Sequence, residues 1–243
     1  MTPRITLAVA ARVLIQLRRD RRTLVMLVVL PCAIMALLWW MFRNSAVAGF
    51  GSLAPPMLAL IPFIVMFLVT SVTTLRERTS GTLERLLAMP MGKGDFLGGY
   101  ALAFGLVAVV QSVLAVGTCV LFLGLDVAGP VALLCLVAIV DAVLGTALGL
   151  FVSAFARTEF QAVQFMPAVV IPQILLCGLF IERSALPDVL RQVSDVLPLS
   201  YAVDAIDHVT HGSDGTWGDL AIVVAYVLAG LVLGALTLRR RSA

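Results

Sequence analysis

Long apolar stretches separated by short polar segments run through the sequence. Each of six stretches is close to the roughly 20 residues that a helix needs to cross a bilayer. The stretches lack the period-two alternation of barrel strands, and a helix bonds its own backbone amides within lipid. The pattern predicts an all-α integral membrane protein with six transmembrane helices, at residues 23–42, 55–75, 100–123, 131–155, 161–181 and 219–238.

Lysine and arginine collect on one side of the predicted helices. When each helix crosses once, 14 of the 17 basic residues fall on the side of the N-terminus: Arg4, Arg12, Arg18, Arg19, Arg21, Arg22, Arg76, Arg78, Arg85, Lys93, Arg157, Arg239, Arg240 and Arg241. Only Arg43, Arg183 and Arg191 fall on the other side. Cytoplasmic segments carry an excess of basic residues. The count therefore predicts that both termini are cytoplasmic and that the number of spans is even.

The residues before the first span, 1–22, have an amphipathic pattern. Basic residues alternate there with an apolar face that persists over several turns and consists of Ile5, Val9, Val13 and Leu17. Such a pattern is typical of a helix that lies on a membrane surface. We prefer this interpretation over a merely basic leader that only sets topology.

The segment between the second and third spans, residues 76–99, is too long and too patterned for a simple turn. Ser80 or Thr82 can cap a short helix there, and Pro90 with Gly92 can end it. One side of this helix carries Leu83, Leu86 and Leu87, and Glu84 and Arg85 lie on the other. A short amphipathic helix in a cytoplasmic loop predicts a docking surface for a partner.

The segment before the last span, residues 182–218, is predicted to lie outside the cell. It holds two amphipathic pieces, 186–197 and 201–211, bounded by Pro187, Pro198 and Gly212. Its charges are mostly acidic. We expect these pieces to dip into the outer leaflet as re-entrant helices without crossing it.

The composition excludes several classes of function. Hydrophobic residues make up 61% of the 243 residues and charged residues 13%, which leaves no room for a soluble catalytic domain. The sequence contains no GxxxxGK[ST] phosphate-binding loop, so any ATP must be hydrolysed by another subunit. The net charge of +3 is too small to indicate nucleic acid as a partner.

Asp141 is the ionisable residue that falls well inside a predicted span. An intramembrane carboxylate is a candidate proton or cation site, and the alternative is a structural carboxyl group bonded within its helix bundle. The first interpretation makes the chain a proton-coupled secondary carrier. An intramembrane enzyme or an assembly factor is a weaker alternative. A serine enzyme is disfavoured, because no histidine lies within a span to act as the base.

Two histidines and two aspartates share one helical face in the outer segment: Asp204, Asp207, His208 and His211. These residue types can bind a metal ion, but nothing nearby in the sequence supplies the groups that orient metal ligands. We interpret the four residues as a solvated face and predict no metal site.

Two segments resemble a known family. RERTSGTLERLLAMPMGKGDFLGG, which begins at Arg76, and LCGLFIERSALPDVLRQVSDVLPLSYAVDAI, which begins at Leu176, are similar to motifs of the membrane subunits of ABC-2-type transporters. That family includes the daunorubicin-resistance and multidrug-efflux permeases. The resemblance covers nearly the whole chain.

The resemblance implies a multi-pass subunit in the bacterial cell membrane that exports an amphiphilic drug, lipid or glycolipid. It implies two cytoplasmic ABC ATPase subunits as partners and a second membrane subunit, identical or homologous. ATP and Mg²⁺ would be bound by the ATPases, so this chain would bind no cofactor and would not be an enzyme by itself. The family's loop helix implies coupling residues at Glu77, Arg78, Thr82, Leu83, Glu84, Arg85, Leu86 and Leu87.

The resemblance also implies that the second and fifth spans line the transport path. Residues at helical spacing there combine apolar and polar groups: Phe63, Met66, Phe67, Thr70, Gln164, Phe165, Ala168 and Gln173. We expect this face to meet its counterpart in the second membrane subunit. Without the resemblance, the preferred interpretation is a stripe that packs against other spans of the same chain.

Overall fold

A computed structural model describes residues 2–43, 49–80 and 92–237, and these ranges contain nine α-helices and no strand. A π-helical turn, Thr118–Phe122, extends the fourth helix, and a 3-10 turn, Arg183–Ala185, precedes the seventh. The helices are α1 (Pro3–Arg19), α2 (Arg21–Phe42), α3 (Phe50–Thr79), α4 (Lys93–Gly117), α5 (Val131–Val152), α6 (Glu159–Leu176), α7 (Asp188–Val196), α8 (Pro198–His211) and α9 (Thr216–Thr237).

Six of these helices are long and apolar enough to cross a membrane: α2, α3, α4 with its π-helical extension, α5, α6 and α9. Each of them overlaps one of the six predicted spans. The prediction of an all-α membrane protein is therefore confirmed. Outside the spans, α7 and α8 correspond to the two amphipathic pieces that the sequence predicts between the fifth and sixth spans.

Helix ends differ from the prediction on both sides of the 76–99 segment. Helix α3 continues to Thr79, and α4 begins at Lys93. The start of α4 is fixed by Asp95, whose Oδ2 accepts the backbone N–H of Gly92 at 3.0 Å. At the other end of the bundle, α6 ends at Leu176 rather than near residue 181, and the hydroxyl of Ser194 donates to the Leu176 carbonyl at 2.7 Å.

Helix α3 is the centre of the bundle. About 72% of its most apolar stretch is buried, against 17% for α2 and for α6. Its closest neighbour is α5, because Gly145 and Gly149 bring the two backbones together: a Cβ on Gly145 would lie 2.4 Å from the carbonyl oxygen of Phe63. The glycine pair in α5 therefore marks a contact between helices of this chain.

The spans alternate in direction, and contacts at each end of the bundle show which helix ends lie together. Backbone Thr2 donates to Asp95 of α4, Arg76 of α3 pairs with Glu159 of α6, and Gly234 of α9 lies beside Leu97. We call the end formed by α1, the end of α3 and the starts of α4 and α6 the basic end. Helix α8 lies at the opposite end, where the backbone N–H of Gly129 donates to Val209 at 3.0 Å.

Candidate functional site

Glu77 joins three helices at the basic end. Its carboxylate lies 3.4 Å from Nη1 of Arg12 and accepts Nε2 of Gln16 at 3.1 Å, so it connects α3 to α1. The same arginine donates from Nη2 to the hydroxyl of Tyr100 in α4 at 3.1 Å. Glu77 and Tyr100 are buried. A partly buried ion pair with two further hydrogen bonds holds its geometry far better than an exposed pair.

A second polar contact fixes the start of α1 on α4. Oδ1 of Asp95 accepts the backbone N–H of Thr2 at 2.7 Å and the hydroxyl of Thr6 at 3.2 Å. Close to this contact, a Cβ on Gly99 would lie 2.5 Å from Cγ1 of Val9, so only glycine lets the helices approach this closely. These roles are not predictable from the sequence, because the partners are separated by about 90 positions.

The apolar face of α1 is used for this docking. Val9, Val13 and Leu17 are buried against the rest of the chain, and α1 packs mainly on α4. The placement of α1 on the inner membrane surface stays a prediction, and what the structure adds is a protein partner for its apolar face. In the structure that face meets protein, while Leu7 and Ile15 on other sides of α1 remain exposed.

Arg76 makes the other connection at the end of α3. Its guanidinium forms two hydrogen bonds with the Glu159 carboxylate at the start of α6, at 2.9 and 3.1 Å. At least half of each of these two side chains is exposed. The neighbouring Arg78 is partly buried. Of the predicted coupling residues, Glu77 and Arg78 are described, and Thr82, Leu83, Glu84, Arg85, Leu86 and Leu87 lie outside the described residues.

The predicted pathway residues occupy two different environments. Phe63, Met66, Phe67 and Thr70 on α3 are fully buried, and the backbone at Phe63 and Phe67 lies against Gly145 and Gly149 of α5. On α6, Gln164 and Ala168 are exposed, and Phe165 is half-buried. Gln173 is buried, and its Oε1 accepts the backbone N–H of Leu199 at 3.4 Å. The two sets therefore do not form one exposed face within this chain.

Asp141 of α5 is fully buried, and neither carboxylate oxygen has a hydrogen-bond partner among the described residues. Other buried polar groups of the bundle share this property within the same ranges. They are the hydroxyls of Thr70, Ser71 and Thr74 on α3 and the amide of Gln111 on α4.

Replacing Asp141 with asparagine separates a secondary carrier from an ATP-driven transporter. Because no described group pairs with the carboxylate, the isosteric amide breaks no ion pair. If the chain serves an ATP-driven exporter, the variant should keep at least about half of the wild-type efflux, whereas loss of a general proton-transfer group in a carrier typically costs a factor of about 10²–10⁴. The measurement is efflux of an amphiphilic fluorescent dye at matched expression. Loss of efflux in the variant, together with wild-type efflux that depends on the proton gradient, would support the carrier.

The segment between α6 and α9 is held by charge pairs. Arg183 pairs with Asp204 of α8 and with Asp195 of α7 at 2.6 Å, and its guanidinium lies 5.2 Å from the ring centre of Tyr201. Burial raises the pKa of Asp204 above its ordinary value, although Arg183 opposes this shift. This arginine therefore fastens α7 to α8.

The four residues of the predicted solvated face engage different groups. Asp204 pairs with Arg183, His208 lies 3.1 Å from Asp219 of α9, and His211 lies 3.1 Å from Asp207. Within the ranges that the structure covers, no three potential metal ligands come together.

Comparisons with known proteins agree with the fold. Residues 5–209 match the family model described as ABC-2 type transporter. ABC transporter G family member 20 of Dictyostelium discoideum is 25% identical over 195 residues, which are 78% of this chain and 27% of the relative. The probable multidrug ABC transporter permeases YbhS and YbhR of Escherichia coli (strain K12) are 24% and 27% identical, over 67% and 62% of this chain.

The chain spans less than half the length of these curated relatives: 44% of YbhS and 41% of YbhR. The family match, in contrast, runs from α1 to near the end of α8 and includes five of the six apolar helices. It also contains the Glu77 contacts with α1 and the α3–α5 packing. On this evidence the chain belongs to the ABC-2 type transporter family.

Proposed function

We propose that this chain is the membrane subunit of an ATP-driven exporter of amphiphilic molecules. The complex contains two cytoplasmic ABC ATPase subunits, which bind ATP and Mg²⁺, and a second membrane subunit that is identical or homologous. The bacterial relatives named as probable multidrug permeases support the substrate class. The basic end faces the cytoplasm, because cytoplasmic segments are enriched in arginine and lysine.

One observation carries this proposal: three helices are joined to the end of α3 directly beside residues 81–91. Glu77 contacts α1, Arg76 contacts α6, and Arg12 connects α1 to Tyr100 of α4. A displacement of the segment after α3 is therefore passed to several spans through short polar contacts. A rigid junction of this kind suits the transfer of ATPase movement to the membrane domain.

Residues 81–91 contain the surface that docks on the ATPase in this proposal. Leu86 and Leu87 belong to its apolar face, and burying each would contribute about 1.5–3 kcal/mol. Replacing both with aspartate should therefore reduce co-purification of the ATPase and abolish dye export. Expression of the subunit should survive, because the packing of α3 on α5 and of α1 on α4 described above is made by residues outside 81–91.

A matched control is the Ala88→Asp, Met89→Asp double variant, which adds two negative charges to the same segment off the predicted face. It should retain most of the ATPase and most of the export. Normal export by the Leu86→Asp, Leu87→Asp double variant would refute the docking role.

The transport path, in this proposal, begins at the exposed side of α6. Gln164 and Ala168 are exposed there, and an apolar wall with a few polar groups suits an amphiphilic substrate. Phe67 and Thr70 are fully buried, so they can reach the path only if α3 moves relative to α5. The proposal therefore assigns α6 to the interface between membrane subunits and α3 to the moving wall behind it.

Crosslinking tests this arrangement. A single cysteine at Gln164 or Ala168 should form a disulfide between two membrane subunits in the nucleotide-free complex. A cysteine at Phe67 should not, because its side chain is covered within its own chain. Trapping the complex with ATP and a hydrolysis-deficient ATPase should change the Gln164 yield severalfold. Efficient crosslinks from the exposed side of α4, for example at Leu106, with none from α6, would contradict the assignment.

A further inference from the structure

A cleft of about 530 Å³ opens between α1, α2 and α3 at the basic end. Ligand sites commonly have volumes of about 300–1,000 Å³. The cleft is separate from the exposed Gln164 and Ala168 on α6, and the proposed transport path does not use it. It extends along α3 from Leu68 to Ser80.

The lining of the cleft changes from apolar to polar along its length. Leu68, Val69 and Val72 line it on α3 first, and Thr73, Arg76 and Glu77 follow on the next turns towards the basic end. Helices α1 and α2 repeat the change: Val13 and Met26 are apolar, and Gln16 and Thr23 are polar. A cavity of this kind fits a molecule with a hydrocarbon part and a polar head.

The acidic groups that line the cleft are already engaged. Asp20 accepts the hydroxyl of Thr23 at 2.7 Å and its backbone N–H at 3.2 Å, and these bonds lower the pKa of Asp20. Glu77 is engaged by Arg12 and Gln16, as described above. Arg12 therefore compensates the charge of Glu77, and the ionised Asp20 is outnumbered by the four arginines beside it in the chain, Arg18, Arg19, Arg21 and Arg22.

Four arginines alternate along the chain with residues that line the cleft. Leu17, Asp20 and Thr23 line it, and the positions between them are Arg18, Arg19, Arg21 and Arg22. All four side chains are exposed, and none forms an ion pair within the described part of the chain. Two of them begin α2, where positive charge opposes the helix dipole. At this position Arg21 and Arg22 do not stabilise α2, but their positive charge attracts an anion beside the cleft.

We propose that this cleft binds an anionic phospholipid from the leaflet next to the basic end. An acyl chain lies along Leu68, Val69 and Val72, and the phosphate lies at the arginines. Clusters of arginine or lysine directly beside a membrane-spanning helix attract anionic lipid headgroups. The bound lipid joins α1 to α2 and α3 across a gap that side chains leave open. This inference does not depend on the transport activity.

The test uses the full chain in nanodiscs with a phosphatidylglycerol probe that carries a photoreactive group on one acyl chain. Mass spectrometry of the photolysed sample should locate crosslinks on Met26 and Leu68. The variant Arg21→Gln, Arg22→Gln should lower their yield about tenfold. A Val69→Trp variant, which fills the apolar half of the cleft, should lower it to a similar extent. The control Arg239→Gln, Arg240→Gln removes the same charge elsewhere in the chain and should change the yield less than about twofold.

Competition supplies a measurement that does not rely on variants. Excess unlabelled phosphatidylglycerol should suppress the crosslinks in the wild-type protein, and excess phosphatidylcholine should not. Equal suppression by both lipids would overturn the proposal, since it would mean that the cleft takes any acyl chain. Yields that are unchanged by the arginine substitutions, or crosslinks spread evenly over the lipid-facing helices, would overturn it as well.

Discussion

Replacing Gly145 with alanine is expected to destabilise the bundle strongly. The added Cβ would lie 2.4 Å from the carbonyl oxygen of Phe63, a distance that no pair of such atoms adopts, and the obstacle is backbone rather than a mobile side chain. Helices α3 and α5 must therefore separate over their shared face. Overpacking in a core costs about 1–3 kcal/mol, and we expect this variant to reach or exceed the upper value.

Two other glycines provide matched controls for the same substitution. A Cβ on Gly105 in α4 meets no atom within 4 Å, so alanine there should be neutral or slightly stabilising. A Cβ on Gly230 would lie 3.2 Å from the Cβ of Ala147, which predicts an intermediate effect. Thermal unfolding followed by size-exclusion chromatography should rank the variants as Gly105, Gly230, Gly145, from least to most damaging. A Gly145 variant as stable as the Gly105 variant would show that the two backbones can move apart at little cost.

The transmembrane architecture was predictable because each span carries its own signal. A continuous apolar stretch of suitable length is a local property, and a helix satisfies the backbone groups of such a stretch within the stretch itself. The grouping of basic residues supported an even number of spans in the same way. The segments around α7 and α8 were also predictable, because Pro187, Pro198 and Gly212 bound two amphipathic pieces.

The packing of the spans was not predictable from the same pattern. The stripe from Phe63 to Thr70 has the composition of a pathway face, yet it is fully buried within the chain. Hydrophobicity cannot separate a helix that faces lipid from one that faces another helix, since both surroundings are apolar. The close approach of α3 and α5 depends on Gly145 and Gly149. Two glycines four positions apart are common in apolar sequences, so this spacing alone does not predict the contact with Phe63.

The polar junction at the basic end was unpredictable for a different reason. Glu77 was expected to act in coupling as part of the segment after the second span, but its partners Arg12 and Gln16 precede it by more than 60 positions. The amphipathic pattern of α1 predicted a membrane-surface helix, and nothing in that pattern distinguishes a lipid surface from the face of α4. Charge pairs between distant segments leave no periodicity in the sequence.

Replacing Glu77 with alanine is expected to release α1 from the end of α3. The change removes the partner of Arg12 and of Gln16, and it leaves the arginine with the hydroxyl of Tyr100 as its remaining described contact. Breaking a buried pair by removing one partner costs about 3–5 kcal/mol. The Arg12 side chain is 29% exposed, so we expect a loss of roughly 2–3 kcal/mol. Hydrogen exchange should show faster exchange of the backbone amides of α1.

The variant Arg76→Gln is the control for this measurement, because it breaks a pair at the same end of α3 whose side chains are 61% and 50% exposed. Exposed pairs contribute at most about 1 kcal/mol, so exchange in α1 should stay close to wild type. The double variant Arg12→Ala, Glu77→Ala should lose less stability than the sum of its two single variants, since it leaves no unpaired charge behind. If Glu77→Ala and Arg76→Gln had equal effects on α1, the buried carboxylate would not be what holds this helix in place.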